Sequence, residues 1–119
     1  LIAVNERDFG GTVEAFITWS KRMPGKVRPH HKILEGVCVI EDRLIRIHPA
    51  LDREWVPTGY VDFVIRHEVL HIIYPPRVDE KTGRRLFHHA EFMSAEEDFP
   101  DYELWNEWGQ RNRDRILYF

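Results

Sequence analysis

The chain has 119 residues, of which 43% are hydrophobic and 31% are charged, and its formal net charge is −3. A chain of this length can bury one core without disulfides, and its single cysteine, Cys38, excludes an internal disulfide and a cysteine-built zinc finger. The slightly acidic charge gives no overall attraction to nucleic acid or to anionic membranes, and no apolar run reaches the about 20 residues of a membrane span. We therefore expect one cytoplasmic domain over residues 1–119, without a membrane partner, and further residues upstream of Leu1.

The N-terminal part predicts the end of a helix followed by a strand. Residues 1–9 have the pattern of a helix that ends at the glycine pair Gly10-Gly11. Residues 12–19, TVEAFITW, are rich in β-branched and aromatic side chains, which predicts a half-buried strand. Residues 20–32 contain prolines and a glycine and predict a loop.

Two further short strands are predicted after this loop. Residues 33–41 and 43–51 are apolar runs separated by a short charged stretch, which indicates a hairpin or two successive strands. Pro49 limits the second strand, because proline lacks the amide that a central strand must donate. The sequence thus predicts a sheet of about three strands.

Residues 58–73, TGYVDFVIRHEVLHII, predict a helix that starts after Pro57 and ends before the Tyr74-Pro75-Pro76 segment. Apolar residues lie around most of its circumference, so we expect it to be buried.

The C-terminal part predicts two more helices. Residues 75–86 are charged and predict a connecting loop, residues 88–99 are compatible with a helix, and residues 102–119 predict a last helix with a stripe of leucine and tryptophan. A helix end, three strands and then three helices correspond to the α+β class.

The buried helix contains the motif His67-Glu68-Val69-Leu70-His71. Residues four apart lie on the same face of a helix, so both imidazoles can reach one metal ion. Glu68 lies beside them, where its carboxylate can take a proton from a water that the metal activates. The motif therefore predicts a zinc site with Glu68 as general base. The alternative is a pair of core histidines held by hydrogen bonds, with Glu68 paired to a neighbour such as Arg66 or to solvent.

A catalytic zinc ion needs a third protein ligand and an open position. The downstream candidates all lie on or next to the helix predicted at 88–99: His88, His89, Glu91, Glu96 and Glu97. The upstream histidines His30, His31 and His48 lie in loops or at strand ends and are weaker candidates. Spacing alone does not separate His88 from His89.

The order of the segments NERDFGG, FITWSKRM, RLIRIHPAL, FVIRHEVLH and FHHAEF resembles the SprT-like family of zinc metallopeptidases over nearly the whole chain. The most specific parts are the Asn-Phe-Gly-Gly segment at residues 5–11 and the His-x-x-x-Phe segment at residues 88–92. The resemblance implies a small zincin-like domain, with His88 as the third zinc ligand beside His67 and His71.

The chain departs from that family in two respects. We expect a domain without the C-terminal four-cysteine zinc ribbon that several members carry, since Cys38 is the single cysteine of the sequence, and the Gly-Pro pair of the family's last motif is replaced by His89-Ala90. His89 therefore remains an alternative ligand, followed by a glutamate, Glu91 or Glu96.

Residues 21–32 hold five basic side chains and two histidines without an acidic one. Such a cluster can bind phosphates, and the family has members that cut proteins crosslinked to DNA, so the resemblance makes this segment the candidate for a DNA contact; the alternative is a solvated loop. The aromatic residues Phe99, Tyr102, Trp105 and Trp108 fit a core better than a substrate groove.

Taken together, the sequence predicts a zinc-dependent metalloendopeptidase that acts on protein or peptide substrates. The alternative is a zinc-stabilised binding module that does not hydrolyse its ligand, with or without DNA, for which a fourth protein ligand closing the site would be typical.

Overall fold

A computed structural model of the chain describes residues 2–11, 14–19 and 35–117. Over these ranges the predicted α+β class is confirmed, with five α-helices, a three-stranded mixed sheet and a two-stranded sheet. The basic segment 21–32, with His30 and His31, lies outside the described residues, so the DNA contact stays a prediction.

The N-terminal helix and its end agree with the sequence. Helix α1 covers Ile2–Phe9, and the chain then passes through Gly10 and Gly11 with φ values of 60° and 73°. Glycine adopts this left-handed backbone without steric cost, and the Gly11 amide donates to the Asn5 carbonyl at 2.9 Å. The glycine pair therefore terminates the helix.

The three-stranded sheet consists of β1 (Phe16–Trp19), β2 (Gly36–Val39) and β3 (Leu44–Ile47) in the order β1-β3-β2. β1 is parallel to β3, and β2 is antiparallel to it. The predicted hairpin is confirmed, with a 3₁₀ turn at Ile40–Asp42 between its strands. The expectation of a half-buried strand at 12–19 is wrong: all four residues of β1 are exposed, because β1 is an edge strand and the central helix packs on β2 and β3.

That central helix, α2, covers Thr58–Ile73 and has the predicted bounds. It begins after Pro57, and at its other end the Tyr74 amide donates to the Leu70 carbonyl at 2.7 Å. Half of the residues of α2 are buried, as expected: Tyr60, Val64, Ile65, Arg66, Glu68, Val69, Leu70 and His71.

No described helix combines the length and the apolar character that crossing a bilayer requires.

The prediction of a loop at 75–86 is wrong in part, because this segment contains a hairpin. Strands β4 (Arg77–Val78) and β5 (Arg85–Leu86) pair antiparallel, and the Asp79 amide donates to the Arg84 carbonyl at 2.8 Å. Strands of two residues are too short to show a hydrophobic period, and this explains why the sequence pattern indicated a loop.

The helix expected at 88–99 is shorter than predicted. Helix α3 covers Ala90–Glu97, His89 is its N-cap residue, and His88 lies before it. The helix begins later than predicted because the His89 side chain accepts a hydrogen bond from the Phe92 amide and so caps α3 at Ala90.

The single last helix expected at 102–119 is two helices, α4 (Tyr102–Arg111) and α5 (Arg113–Leu117). Asn112 separates them: its side-chain amide donates to the Trp108 carbonyl at 2.9 Å, and its backbone amide donates to the same oxygen at 3.0 Å. This local bonding caps α4 and allows the chain to change direction.

The hydrophobic core lies between the sheet and α2. Strand β3 contributes Ile45 and Ile47, α2 contributes Val64 and Val69, and α5 contributes Ile116, all of them buried. Trp105 and Trp108 of α4 pack against this cluster, in agreement with their expected role in the core.

Helix α4 approaches α2 closely at two glycines. A Cβ atom at Gly59 would lie 2.3 Å from the Trp105 ring, and one at Gly109 would lie 2.6 Å from the Tyr60 hydroxyl. Because any larger residue would force the helices apart, these glycines set the distance between α2 and α4.

The buried side chain of Arg66 connects α2 to two other segments of the chain. Its side chain is 2% exposed, and its guanidinium lies 2.8 Å from an Asp101 oxygen and 3.7 Å from an Asp8 oxygen. The Phe99 ring stacks on it, with the centroid 4.1 Å away. Removing one partner of a buried ion pair leaves the other charge without compensation.

We therefore expect Arg66→Met to lower the free energy of unfolding by about 2 kcal/mol, because the stem is kept while the partly exposed Asp101 loses its cation and Asp8 keeps only Arg7. Chemical denaturation followed by circular dichroism measures this value. The matched control is Arg111→Met, which removes an exposed arginine paired with Glu107 and should cost at most about 0.5 kcal/mol. Equal effects of the two substitutions would contradict the role of Arg66.

Candidate metal centre

The structure brings together three of the predicted ligands, His67, His71 and His88. One ring nitrogen from each lies within 4.8 Å of the other two, and the Nε2 atoms of His67 and His88 are 3.1 Å apart. Ligands at 2.0–2.1 Å from a tetrahedral ion are about 3.3 Å apart. The spacing of these two nitrogens therefore fits a zinc ion after a small adjustment.

Phe92 is the residue around which the three imidazoles pack. It is fully buried on α3, its ring stacks on His71 with centroids 4.5 Å apart, and the rings of His67 and His88 both lie 5.1 Å from it. Phe92 thus fixes α3 against α2 and brings the segment with His88 to the motif helix. The sequence indicated Phe92 only as part of the His-x-x-x-Phe segment.

Glu96, also on α3, holds His67 from the side opposite His88. Its carboxylate lies 2.6 Å from Nδ1 of His67, and the residue is only 6% exposed. With the Glu96 carboxylate as acceptor, Nδ1 of His67 is the donor and Nε2 presents its lone pair towards His88. Glu96, a candidate direct ligand by sequence, instead binds this histidine and lies outside the three-histidine cluster.

The protonation of the histidines follows from burial and from their neighbours. Burial, together with the nearby His67 and His88, lowers the pKa of His71 to about 4, and burial and His67 lower the pKa of His88. Burial alone would also lower the pKa of His67, but the hydrogen bond to Glu96 and the charges of Glu96, Glu68 and Glu35 together outweigh it and raise that pKa. His71 and His88 are therefore neutral at pH 7, the form that binds metal.

His71 also has an unsatisfied nitrogen. Its Nδ1 is buried and has no hydrogen-bond partner among the described residues. A buried polar atom without a partner costs free energy, so this nitrogen makes burial of the His71 ring less favourable.

Glu68 is 6% exposed and lines the same cavity as His67. Burial raises its pKa to about 7, with His67 opposing the shift and Glu96 adding to it. A carboxylate with this pKa can accept and return a proton near neutral pH. The alternative pairing with Arg66 is wrong, because that guanidinium binds Asp8 and Asp101.

Gly36, the first residue of β2, lies directly against Glu68. A Cβ atom there would be 3.0 Å from Cγ and 3.1 Å from Oε1 of Glu68, and 2.9 Å from Cγ1 of Val64. Only glycine therefore lets the strand approach the carboxylate this closely. No sequence pattern indicates this contact, since the two residues are 32 positions apart and lie in different elements.

His89, the alternative third ligand, is directed away from the cluster. Its Nδ1 accepts the Phe92 amide at 3.4 Å, and its Nε2 lies 3.0 Å from the Pro75 carbonyl, to which it donates. Both ring nitrogens are thus used in capping α3 and in holding the end of the α2 segment.

The other candidates also lie outside the cluster. Glu91 forms an exposed ion pair with Arg77 of the hairpin, and Glu97 is exposed. His48 accepts the Ala50 amide at 3.0 Å and caps a 3₁₀ turn at Pro49–Leu51.

Comparison of the chain with protein-family models, with curated proteins and with solved structures gave no match. The geometry of the three histidines and of Glu68 is therefore the basis of the functional proposal below.

We expect His88→Ala to lower zinc affinity by at least about 100-fold, because it removes one of three ligands, whereas His89→Ala should retain stoichiometric zinc. Titration against a competing chelator measures both affinities. His89→Ala should lower the stability by about 1 kcal/mol through loss of the α3 cap, so the assay is done well below its unfolding temperature. Zinc loss in His89→Ala together with retention in His88→Ala would reverse the assignment.

Glu96→Gln should lower zinc affinity by about 10-fold or more, because the charge that makes His67 a stronger ligand is removed while an acceptor oxygen is kept. The same chelator titration measures the change. The control is Glu97→Gln, which removes the neighbouring exposed carboxylate and should leave the affinity unchanged. Equal affinities of the two variants would show that Glu96 does not act on the site.

Proposed function

We propose that this chain is a zinc-dependent metalloendopeptidase of the SprT-like type, with a zincin-like domain. In this proposal His67, His71 and His88 hold the zinc ion and Glu68 is the general base. The observation that carries the proposal is the convergence of three histidine nitrogens within 4.8 Å beside a buried glutamate.

The composition of the site supports a catalytic role for the metal over a structural one. Imidazole nitrogens suit zinc, and among the described residues no fourth His, Cys, Asp or Glu joins the cluster. Structural zinc sites have four protein ligands, whereas catalytic sites have three and leave one position open. His88 is exposed, so a substrate can approach from its side.

A bound zinc ion would supply a Lewis acid for the scissile carbonyl. Glu68 takes the proton from the attacking water and passes it to the leaving amine, a sequence that needs a group able to change protonation state near neutral pH. Glu96 keeps Nδ1 of His67 protonated, so that Nε2 stays available as a ligand. Gly36 leaves the space in which the Glu68 carboxylate lies.

The sheet supports an extended peptide as the substrate. Among the described strands, β2 pairs on one side only, with β3, and its first residue touches Glu68. An extended chain can add to such an edge through main-chain hydrogen bonds, which recognise a peptide without regard to its sequence.

The test is Glu68→Gln in the zinc-loaded protein. The wild type should cleave an unfolded protein such as casein in a chelator-sensitive way, and Glu68→Gln should lower the rate by about 10³-fold while zinc remains bound, because only the base is lost. Mass spectrometry of the products and zinc analysis measure the two properties.

Glu97→Gln, an exposed glutamate nearby, is the matched control and should cleave like the wild type. Full activity in Glu68→Gln would overturn the proposed role of this residue. A wild type that holds zinc but cleaves nothing would favour the zinc-stabilised binding module.

A further inference from the structure

A cavity of about 420 Å³ extends from the metal centre along helix α2. Of the site residues, His67, Glu68 and Glu96 belong to its lining, and α4 and α5 also contribute residues to it. Its volume lies within the range of cavities that bind ligands. The proposed chemistry uses only the end with the histidine cluster, so the rest of the cavity has no role in it.

The other part of the cavity contains a second carboxylate. The Tyr60 hydroxyl donates to Oε2 of Glu35 at 2.6 Å. Tyr60 precedes His67 by seven residues, or about 10 Å along the helix axis. Glu35 is thus bound to a residue of α2 that lies two helical turns before His67.

The walls between these two ends are largely apolar and aromatic. They are formed by Tyr60, Phe63, Val64, Trp105 and Ile116. Lysine and arginine bury their methylene stems against such surfaces, and their charged ends are attracted to aromatic faces.

The charges of the cavity also favour a cation. Glu35, Glu68 and Glu96 are the acidic residues of its lining, and the basic one besides His67 is Arg113, which is exposed. Arg113 and His67 act on the Glu35 charge electrostatically, but no described cationic side chain forms an ion pair with Glu35 within 4.0 Å. A carboxylate held in a mostly apolar cavity costs free energy that a cation of the ligand would offset.

We propose that this cavity binds a lysine or arginine side chain of the substrate and that Glu35 is the specificity-determining residue. The proposal rests on the peptidase function proposed above. The basic side chain would lie along α2 with its charged end at Glu35, and the backbone that carries it would then lie at the metal centre.

The first experiment determines the cleavage preference. The zinc-loaded wild type is given a peptide mixture made from a digested proteome, and the residues on both sides of each cut are read by mass spectrometry. We expect lysine and arginine to be enriched at one fixed position relative to the cleaved bond. Absence of such enrichment would overturn the proposal.

The second experiment assigns the preference to Glu35. Two peptides that differ only in arginine or norleucine at that position are compared, and Glu35→Gln should lower the arginine-to-norleucine ratio of kcat/KM by about 10-fold or more. The glutamine keeps an acceptor for Tyr60. The control is Glu107→Gln, the same change at an exposed site, which should not alter the ratio. An unaltered ratio in Glu35→Gln would also overturn the proposal.

A binding measurement separates this proposal from the peptidase function. N-acetyl-arginine methylamide or its norleucine analogue is titrated into ¹⁵N-labelled protein while the indole N–H of Trp105 is followed by NMR. The arginine compound should give a saturable shift that Glu35→Gln weakens by about 10-fold.

If that shift appears but zinc-loaded wild type cleaves no peptide, the cavity proposal stands and the peptidase proposal fails. If peptides are cleaved and the arginine compound gives no shift, the cavity proposal fails alone.

Discussion

The burial of polar side chains on a largely apolar helix is the constraint on which the rest of the structure depends. Helix α2 buries Arg66, Glu68 and His71, and a charged or polar group inside a protein is tolerated only when other groups compensate it. Separate segments supply part of this compensation: Asp8 and Asp101 bind Arg66, and Glu96 of α3 binds the neighbouring His67, whereas Nδ1 of His71 has no partner among the described residues. The contacts that hold Arg66 and His67 are therefore also contacts that assemble the domain around the motif helix.

Helix α3 contributes both a packing residue and a hydrogen-bonding residue to the site. Phe92 and Glu96 are four residues apart and lie on the same face of α3. The first packs against all three imidazoles, and the second fixes the proton of His67. One helix thus supplies both packing and a hydrogen bond. His88, which precedes this helix, is thereby held beside His71 and His67, which are 17 and 21 positions earlier in the chain.

The sequence predicted the parts of the site that follow from local geometry. His67, Glu68 and His71 are related by the helical period, which fixes their relative positions whatever the surrounding fold. The choice between His88 and His89 depended on which one caps α3, and that is decided by the backbone of Pro75 and Phe92. Gly36 and Glu35 meet α2 across more than 20 residues of sequence, so no local pattern could indicate them.

The helical period also relates the metal centre to the cavity. Tyr60, Val64, His67 and Glu68 are spaced so that they share one face of α2, and all four line the cavity. A rigid helix therefore sets the distance between Glu68 and Tyr60, and Tyr60 binds the Glu35 carboxylate. In the proposed enzyme, a side chain held by Glu35 would place its own backbone near Glu68, because the spacing of Tyr60 and Glu68 is built into two turns of helix. The proposed position of the substrate would then depend on the same helix that carries His67 and His71.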